Sequence, residues 1–340
     1  MTDMVKTVPH LPEIPLIDVG DGGALRSLAA ERSRADALLA SGHRAHGRLV
    51  MRVGDRISRA WLARNANPFA GEILAVAGAI GRPGAVMLNM SYEWGCTSGA
   101  APDPDGIGNR MLRVLDWRVE GLGAHVIVTR EQAPAGPFYN VTWPGAVGVL
   151  TAMAPGRFSA AINQAPMRRH GLTKAGDWAR NRMAVWRSRH LPPAHLLRQV
   201  FLAARDYEEA RAMLTRTELA LPAFFILSGT HPDQGCVIER TETEATVHDG
   251  PVACANQWLS RPDEGWARGR DNEGRRELLS QVQRGRVEGF AWVRPPLLNR
   301  FTRVAVEANA ARGTLKVLGI ERERPATAEF RWIHEDLAVA

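Results

Sequence analysis

The stretch Asn89-Met90-Ser91-Tyr92-Glu93-Trp94-Gly95-Cys96-Thr97-Ser98 is the part of the chain from which both the fold and the chemistry are predicted. A lone cysteine such as Cys96 is most often a small buried apolar residue, and this interpretation is open at this point. Gly95 leaves the backbone before the cysteine unobstructed, and Thr97 and Ser98 can hydrogen-bond backbone groups and hold a turn. The stretch is therefore compatible with an exposed nucleophile in a turn.

The same residues carry a resemblance to a known family. Tyr92-Glu93, followed shortly by Cys96-Thr97-Ser98, resembles the cleavage junction of acid ceramidase and N-acylethanolamine acid amidase. These are N-terminal-nucleophile (Ntn) amidohydrolases, related to the choloylglycine hydrolases. The resemblance implies that the chain cuts itself between Gly95 and Cys96, and that the new α-amine of Cys96 then acts as its general base. Further matches in the same order extend the resemblance over roughly residues 85 to 290.

Composition indicates a globular protein of 340 residues, with 45% hydrophobic and 23% charged residues. Residues 1–15 contain no apolar run of signal-peptide length, and the chain has no stretch of about 18 apolar residues that would predict a membrane span. Its three cysteines, Cys96, Cys236 and Cys254, are too few for a disulfide framework, and the odd number leaves at least one thiol unpaired. We therefore expect a reducing, cytoplasmic setting.

The net charge of +7 comes from 43 basic and 36 acidic residues. Such an excess can favour anionic surfaces, so a non-enzymatic binder of anionic lipid or nucleic acid is kept as a remote alternative. The arginines are interleaved with acids, as in residues 205–211, which is typical of a solvated surface. We therefore expect no nucleic-acid partner.

Cofactor and metal motifs are missing from the sequence. It contains no phosphate loop, no Gly-x-Gly-x-x-Gly pattern and no Gly-x-Ser-x-Gly motif of serine hydrolases. His190 and His195 are separated by two prolines, and no cysteine pair has zinc spacing. We therefore predict neither cofactor nor metal.

The first 95 residues are predicted to form a helical segment without a catalytic motif, which corresponds to the light chain of a self-cleaved precursor. The Pro-rich residues 7–19 favour an extended edge segment. Apolar residues at helical spacing predict helices over 24–41, 48–65 and 69–80.

Residues 96–340 are predicted to form the catalytic domain. Alternating apolar residues predict strands, and longer amphipathic stretches predict helices. Strands are expected at 111–119, 125–129, 138–143, 158–162, 224–228, 236–240 and 253–256, helices at 174–189, 193–215 and 273–284, and a hairpin over 301–307 and 314–320. Strands, then two helices, then strands again exclude a βαβ alternation and indicate an α+β protein of antiparallel sheets. The resemblance implies the Ntn αββα sandwich.

Arg113 and Asp116 follow Cys96 at a spacing that the acid ceramidase family shares. The resemblance implies Arg113 near the thiol and Asp116 near the α-amine. On a regular strand, residues i and i+3 point to opposite faces, so a bend or bulge is predicted if both face the site. Without the resemblance, such a pair is most often a surface ion pair.

Three further residues complete the candidate site by resemblance. Asn256 matches a catalytic oxyanion donor, and Arg275 matches an active-site arginine, although Arg270 or Arg276 could be the equivalent residue. Asn163 ends a strand that faces the substrate in the family, and either donates to the oxyanion or makes an ordinary turn. The position after it is Gln164, where the amidase often has Glu, so this chain departs from the family at the residue of a Glu-assisted cleavage step.

These observations predict a self-processing cysteine amidohydrolase that acts on a linear amide of an N-acyl compound with an apolar acyl chain, through a thioester acyl-enzyme. The two chains are expected to remain associated after cutting. The near alternative is an acyltransferase of the penicillin acyltransferase type, in which an amine takes the acyl group instead of water. Neither the acyl chain, the amine nor the oligomeric state follows from the sequence.

Overall fold

A computed structural model describes residues 11–91 and 94–334 of the chain. Tyr92 and Glu93, two residues of the junction motif, lie outside the described residues, as do the first residues of the Pro-rich stretch.

The N-terminal part consists mainly of helices that bury one apolar side against the sheets. Of the four helices further along the chain, three pack on the outer faces of these sheets. The helices are α1 (Gly23–Ala30), α2 (Arg32–His46), α3 (Arg48–Arg64), α4 (Ala70–Ile80), α5 (Ala85–Asn89), α6 (Lys174–Arg187), α7 (Pro193–Ala203), α8 (Tyr207–Arg216) and α9 (Asn272–Val282).

Fifteen strands are present in the described part of the chain. They are β1 (Leu16–Gly20), β2 (Trp94–Pro102), β3 (Asn109–Trp117), β4 (Ile127–Glu131), β5 (Phe138–Thr142), β6 (Thr151–Ala154), β7 (Phe158–Gln164), β8 (Ala223–Gly229), β9 (Gly235–Arg240), β10 (Ala245–Asp249), β11 (Val252–Cys254), β12 (Thr302–Asn309), β13 (Thr314–Glu321), β14 (Arg324–Pro325) and β15 (Phe330–Ile333).

The strands form two sheets. One has the order β1-β4-β5-β6-β7-β8-β9-β10, and the other has the order β11-β2-β3-β12-β13-β14, with β15 also paired to β13. All pairs are antiparallel except β1 with β4. The predicted α+β class of antiparallel sheets with helices outside is therefore confirmed.

Three apolar clusters hold the layers together. The largest lies between the sheets and extends to the N-terminal helices, for example through Leu28, Ile73 and Val86. A second joins α7 and α8 to one sheet, and a third joins Leu279 of α9 to the other sheet. Because burying an aliphatic side chain stabilises by about 1.5–3 kcal/mol, the N-terminal helices are an integral part of the fold.

The structure corrects several local predictions. The Cys96 stretch is a strand and not a turn, because β2 pairs with β3 without interruption from Trp94↔Trp117 to Pro102↔Asn109. The helix predicted over 24–41 is interrupted at Glu31, whose φ of −124° and ψ of 44° are not helical. The helix predicted over 193–215 is divided because Asp206 caps a new helix, its carboxylate accepting a hydrogen bond from Glu209 N at 2.8 Å.

In residues 11–91 and 94–334, no helix is both long enough and apolar enough to cross a membrane.

Candidate active site

Cys96 lies near the start of β2, completely buried, and three polar side chains contact its atoms. Arg113 Nη2 lies 3.1 Å from Cys96 Sγ. The backbone N–H of Cys96 donates to Asn256 Oδ1 at 2.8 Å. Arg275 Nη1 donates to the carbonyl oxygen of Cys96 at 3.1 Å. Three of the residues singled out from the sequence therefore meet at the predicted nucleophile.

Arg113 and Asp116 reach this cysteine from opposite faces of the sheet. Arg113 pairs with Ser98 and Asp116 with Gly95, so the register of β2 and β3 is regular here. Cross-strand partners share a face and successive residues alternate, which puts Arg113 on the side of the thiol and Asp116 on the other side. The predicted bend in β3 is therefore wrong, and the irregularity lies instead in β12, between Thr302 and Val304.

Asp116 lies beside the backbone of the predicted cleavage site instead of beside the thiol. A Cβ placed on Gly95 would be 3.4 Å from Asp116 Cβ and 3.8 Å from its Oδ2. Thr302 Oγ1 and Asn299 Nδ2 each donate to the carboxylate at 2.9 Å, and Arg275 Nη1 lies 3.4 Å from it. Burial raises the pKa of Asp116, and Arg275 together with the two hydrogen bonds opposes that rise.

Arg275 connects the residues on this face of the sheet. Besides Cys96 O and Asp116, its guanidinium donates to Thr97 Oγ1 at 2.8 Å and to Asn272 Oδ1 at 2.7 Å. Of the three arginines considered from the sequence, Arg275 is the buried one, whereas Arg270 is exposed and contributes its carbonyl oxygen to Arg275 Nε. The structure thus selects Arg275 over Arg270 and Arg276 as the arginine next to the cysteine.

Asn256 links the cysteine to the other sheet. Its Nδ2 donates to the carbonyl oxygen of Gln164 at 2.8 Å, while its backbone N–H donates to Asn272 Oδ1 at 3.0 Å. Gln164 in turn accepts the backbone N–H of Trp94 on its Oε1 at 3.1 Å. The residue at the position where the amidase often has Glu therefore touches the strand next to the predicted cleavage bond.

Asn163 holds three strands together in the uncut chain. Its Oδ1 accepts the hydroxyl of Ser98 at 2.7 Å, and its Nδ2 lies 3.0 Å from the carbonyl oxygen of Cys254 and 3.2 Å from that of Ala255. Asn163 is thus not the turn residue of the alternative interpretation. Its role as an oxyanion donor stays a prediction, because its amide hydrogens are engaged in this state.

Burial dominates the acidity of the cysteine in the uncut chain. It raises the pKa of Cys96 to about 11, because desolvation outweighs the opposing effect of the Arg113 charge. The thiol is therefore neutral near pH 7. A thiolate is the reactive form of cysteine, so the nucleophile must lose its proton as it attacks or become more solvated.

An apolar cavity of about 120 Å³ lies next to Leu150 and Trp94, and Leu150 connects it to the arginine beside the thiol. Arg113 Nη1 donates to the carbonyl oxygen of Leu150, which also lines the cavity. The walls come from the N-terminal helices and from both sheets and include Leu38, Leu88, Trp94, Trp117, Trp143 and Leu150. Such a cavity fits an aliphatic chain attached to a group at the thiol.

Several residues of the site were missed in the sequence. Asn272, Asn299 and Thr302 fix Arg275 and Asp116, yet they lie in stretches without a recognisable motif. In the described part of the chain, no group of three or more His, Cys, Asp or Glu residues is arranged to hold a metal ion.

Two stacked antiparallel sheets with helices outside them are the fold of the Ntn hydrolases. In sequence, the chain is similar to acid ceramidases. It is 29% identical to the acid ceramidase of Macaca fascicularis over 217 residues, which are 58% of this chain and 53% of that protein. It is 30% identical to the acid ceramidase of Bos taurus over 201 residues, or 52% and 48% of the two chains. The resemblance seen at the junction motif is therefore confirmed, and the chain spans about half the length of the acid ceramidases it matches.

Solved structures that resemble this one include the Caenorhabditis elegans ortholog of N-acylethanolamine-hydrolyzing acid amidase. The match has a TM-score of 0.48 and 22% sequence identity, and it covers 63% of this chain and 93% of that one. A mutant of the conjugated bile acid hydrolase of Clostridium perfringens has a TM-score of 0.44 and 10% identity over 71% and 93% of the two chains. No protein-family model matches the chain.

Proposed function

We propose that this protein is a self-processing cysteine amidohydrolase that cleaves a linear amide bond of an N-acyl compound. The observation that carries the proposal is the arrangement around Cys96: a cation lies 3.1 Å from its Sγ, and an amide oxygen lies 2.8 Å from its backbone nitrogen. A cysteine whose own nitrogen becomes a general base needs two separate contacts. One is a cation beside the thiol, and the other is a polar group that orients the nitrogen.

The first reaction is the cut between Gly95 and Cys96. The Sγ of Cys96 attacks the carbonyl carbon of Gly95 and loses its proton, the carbon–nitrogen bond breaks, and the Cys96 nitrogen takes a proton to become an amine. The resulting thioester between Gly95 and Sγ is hydrolysed by water, which leaves a carboxylate on Gly95 and a free thiol. Asp116 is proposed to hold the new ammonium group, which is supported by its position beside Gly95.

Turnover repeats this chemistry on an external amide. The thiol attacks the substrate carbonyl, and its proton passes through the α-amine to the leaving nitrogen. Asn256 and Asn163 are proposed to donate to the oxyanion. Their Nδ2 groups are held by main-chain carbonyls in the uncut chain, so catalysis requires at least one of them to be redirected after cutting.

The apolar cavity is proposed to hold the acyl chain. It adjoins the thiol through Leu150 and Arg113, and each methylene buried in it contributes about 0.8 kcal/mol of binding free energy. Because N-terminal helices form part of its wall, the light chain must stay bound for this cavity to exist.

Contacts between the two parts support their association after cutting. Trp61 Nε1 donates to the carbonyl oxygen of Val185 at 2.9 Å, and Asn67 Nδ2 lies 2.7 Å from His195 Nδ1 in a buried position. Strand β1 is also hydrogen-bonded to β4.

The test is hydrolysis of defined N-acyl amides by the purified protein, followed by mass spectrometry of both products. Release of free fatty acid by the native chain but not by Cys96→Ala supports the proposal. In the same assay a competing amine distinguishes the acyltransferase alternative, in which the acyl group appears on that amine. Absence of hydrolysis and of transfer for all acyl lengths, by protein that has cut itself, contradicts the proposed function.

A further inference from the structure

The turn at the start of β12 places two neutral hydrogen-bond donors on Asp116. Thr302 Oγ1 donates to Oδ1 of this carboxylate and Asn299 Nδ2 donates to its Oδ2, each at 2.9 Å. We propose that Asn299 and Thr302 are positioning residues of the reaction, which keep the Asp116 carboxylate ionised beside the bond between Gly95 and Cys96. This inference rests on the proposed amidase function and adds two residues to those that the reaction needs.

An irregularity in β12 turns Thr302 toward Asp116. These two residues are partners in the register of β12 and β3, but the next pair is Val304 with Leu115, so Arg303 is an extra residue on β12. Such a β-bulge changes the direction of the side chains around it and is frequent next to active sites. The hydroxyl of Thr302, which is completely buried, thereby reaches the carboxylate.

A second contact holds each donor in its orientation. The backbone N–H of Phe301 donates to Asn299 Oδ1 at 3.0 Å, which leaves the Nδ2 side of the amide for Asp116. The backbone N–H of Asn299 donates to Thr302 Oγ1 at 3.0 Å, which leaves the hydroxyl proton for another acceptor. The carbonyl oxygen of Leu297 lies 3.2 Å from Thr302 Oγ1 and 3.5 Å from Asn299 Nδ2, farther in both cases than the carboxylate. Both side chains therefore act on Asp116 as donors.

Three charged or titratable groups act on Asp116 from neighbouring elements. They are Arg275 of α9, at 3.4 Å from Oδ2, Arg303 of β12, which is paired with Glu321, and the Cys96 thiol of β2. Burial raises the pKa of the thiol to about 11, so the thiol is neutral near pH 7 and the charges that favour the carboxylate are the two arginines. Burial also raises the pKa of Asp116, and the arginines and the two neutral donors oppose that rise.

Removing one donor should therefore favour the protonated, neutral form of Asp116. A neutral carboxyl group does not hold the ammonium group of Cys96 as the proposed reaction requires. Because the loss of a donor raises the pKa of Asp116, turnover should be lost at acidic pH and should recover as the pH rises. A purely structural role of the turn would instead lower turnover by the same factor at every pH.

Three variants test the donors, and a fourth is a matched control. Thr302→Val removes the hydroxyl and keeps the shape of the side chain, whereas Thr302→Ser keeps the hydroxyl. Asn299→Asp keeps the oxygen that accepts the N–H of Phe301 but replaces the donor with a second carboxylate oxygen, and two carboxylates in contact do not both ionise readily. Thr327→Val is the control, because Thr327 is also completely buried but its hydroxyl accepts a backbone N–H of β13.

Turnover is measured on protein that has cut itself, with amides of a fluorescent aminocoumarin that carry acyl chains of graded length. For the amide that the native protein cleaves fastest, kcat and KM are recorded between about pH 5 and pH 9. The ratio of variant to native kcat should fall severalfold at acidic pH for Thr302→Val and approach one at alkaline pH, because each unit of pKa lowers the ionised fraction by up to about tenfold. Asn299→Asp should lose more, Thr302→Ser should stay near native, and KM should not change. For Thr327→Val the ratio should not depend on pH.

A direct titration of Asp116 keeps the inference testable if a variant no longer cuts itself. The uncut Cys96→Ala chain is labelled with carbon-13 at its aspartate carboxyl groups, and the Asp116 signal is identified by its loss in Asp116→Asn. Adding Thr302→Val should move the midpoint of this signal to higher pH by about one unit. Adding Thr327→Val should leave the midpoint where it is.

The outcomes separate this inference from the proposed function. If the native protein is active but the kcat ratios of Thr302→Val and Asn299→Asp do not depend on pH, the inference is overturned while the amidase function stands. The same holds if Thr302→Val leaves the Asp116 midpoint unchanged. If self-cut native protein cleaves no aminocoumarin amide and no other N-acyl amide, the proposed function fails, and this inference fails with it.

Discussion

Removing the charge of Arg113 should make the Cys96 thiol less acidic and therefore slower to alkylate. The guanidinium Nη2 is 3.1 Å from Sγ, and both side chains are completely buried, so the cation acts on the thiolate with little screening. The substitution Arg113→Met removes the charge and keeps much of the volume. Arg113→Lys keeps the charge and serves as the matched control.

The expected size follows from the geometry. Two unit charges roughly 4 Å apart at an effective dielectric constant of ~20 interact by about 4 kcal/mol. With about 1.4 kcal/mol per pKa unit, this corresponds to a rise of about 3 units in the thiol pKa. Water that enters the space left by the guanidinium would solvate the thiolate and reduce the shift. We therefore expect alkylation near pH 8 to slow by at least tenfold.

The assay follows modification of Cys96 by a small alkylating reagent between pH 6 and pH 11, using intact-protein and peptide mass spectrometry. Proteins are compared only in the same chain state, because cutting changes the exposure of the thiol. Reactivity should rise with pH as the thiolate fraction increases, and at each pH in this range Arg113→Met should react more slowly than Arg113→Lys or the native chain. Equal rates in folded variants over the whole range would refute the assignment of Arg113 to the thiol.

Three further predictions concern the other parts of the site. Asp116→Asn should abolish hydrolysis and impair self-cleavage. Because Asp116 lies beside Gly95 and not beside Sγ, the variant should alkylate its thiol at a rate close to that of uncut native protein. Normal turnover by the variant would show that Asp116 does not belong to the site. After cutting, the two chains should elute as one peak in size-exclusion chromatography without denaturant, and two peaks would mean that the N-terminal helices are removable. Ala146→Phe should narrow the acyl cavity and shift the substrate preference to shorter acyl chains. Affinity should fall about fourfold for each methylene that is excluded, because a buried CH₂ contributes ~0.8 kcal/mol. An unchanged chain-length profile would mean that the acyl group binds elsewhere.

The fold class was accessible from the sequence because apolar alternation and helical spacing reflect which faces are buried. Strands β5, β8 and β9, which have every residue buried, were found almost to the residue. Strand β6 was missed, since it lies in the Gly-rich segment 145–155 without alternation. The division of the 193–215 helix had a local signal, Asp206 three residues before Glu209, which indicates a helix N-terminus.

The site was predictable in its residues but not in its geometry. Spacing indicated that Arg113 and Asp116 leave a regular strand on opposite faces, yet a bend was expected to turn both toward the site, Arg113 near the thiol and Asp116 near the α-amine. In the structure the strand is regular, so Arg113 lies on the side of the Cys96 thiol and Asp116 lies on the opposite side, beside Gly95. Asn299 and Thr302 could not be found, because their contact with Asp116 depends on a pairing between distant strands.

The central claim is that Cys96 is a nucleophile that becomes the N-terminus of its own chain. It is tested most directly by intact-protein mass spectrometry and N-terminal sequencing of the freshly purified native chain beside Cys96→Ala. We predict two masses for the native protein that sum to the uncut chain plus one water, with the larger fragment beginning Cys-Thr-Ser-Gly. Cys96→Ala should give one uncut mass. A single uncut mass for the active native protein, or a fragment beginning at any other residue, would contradict the claim.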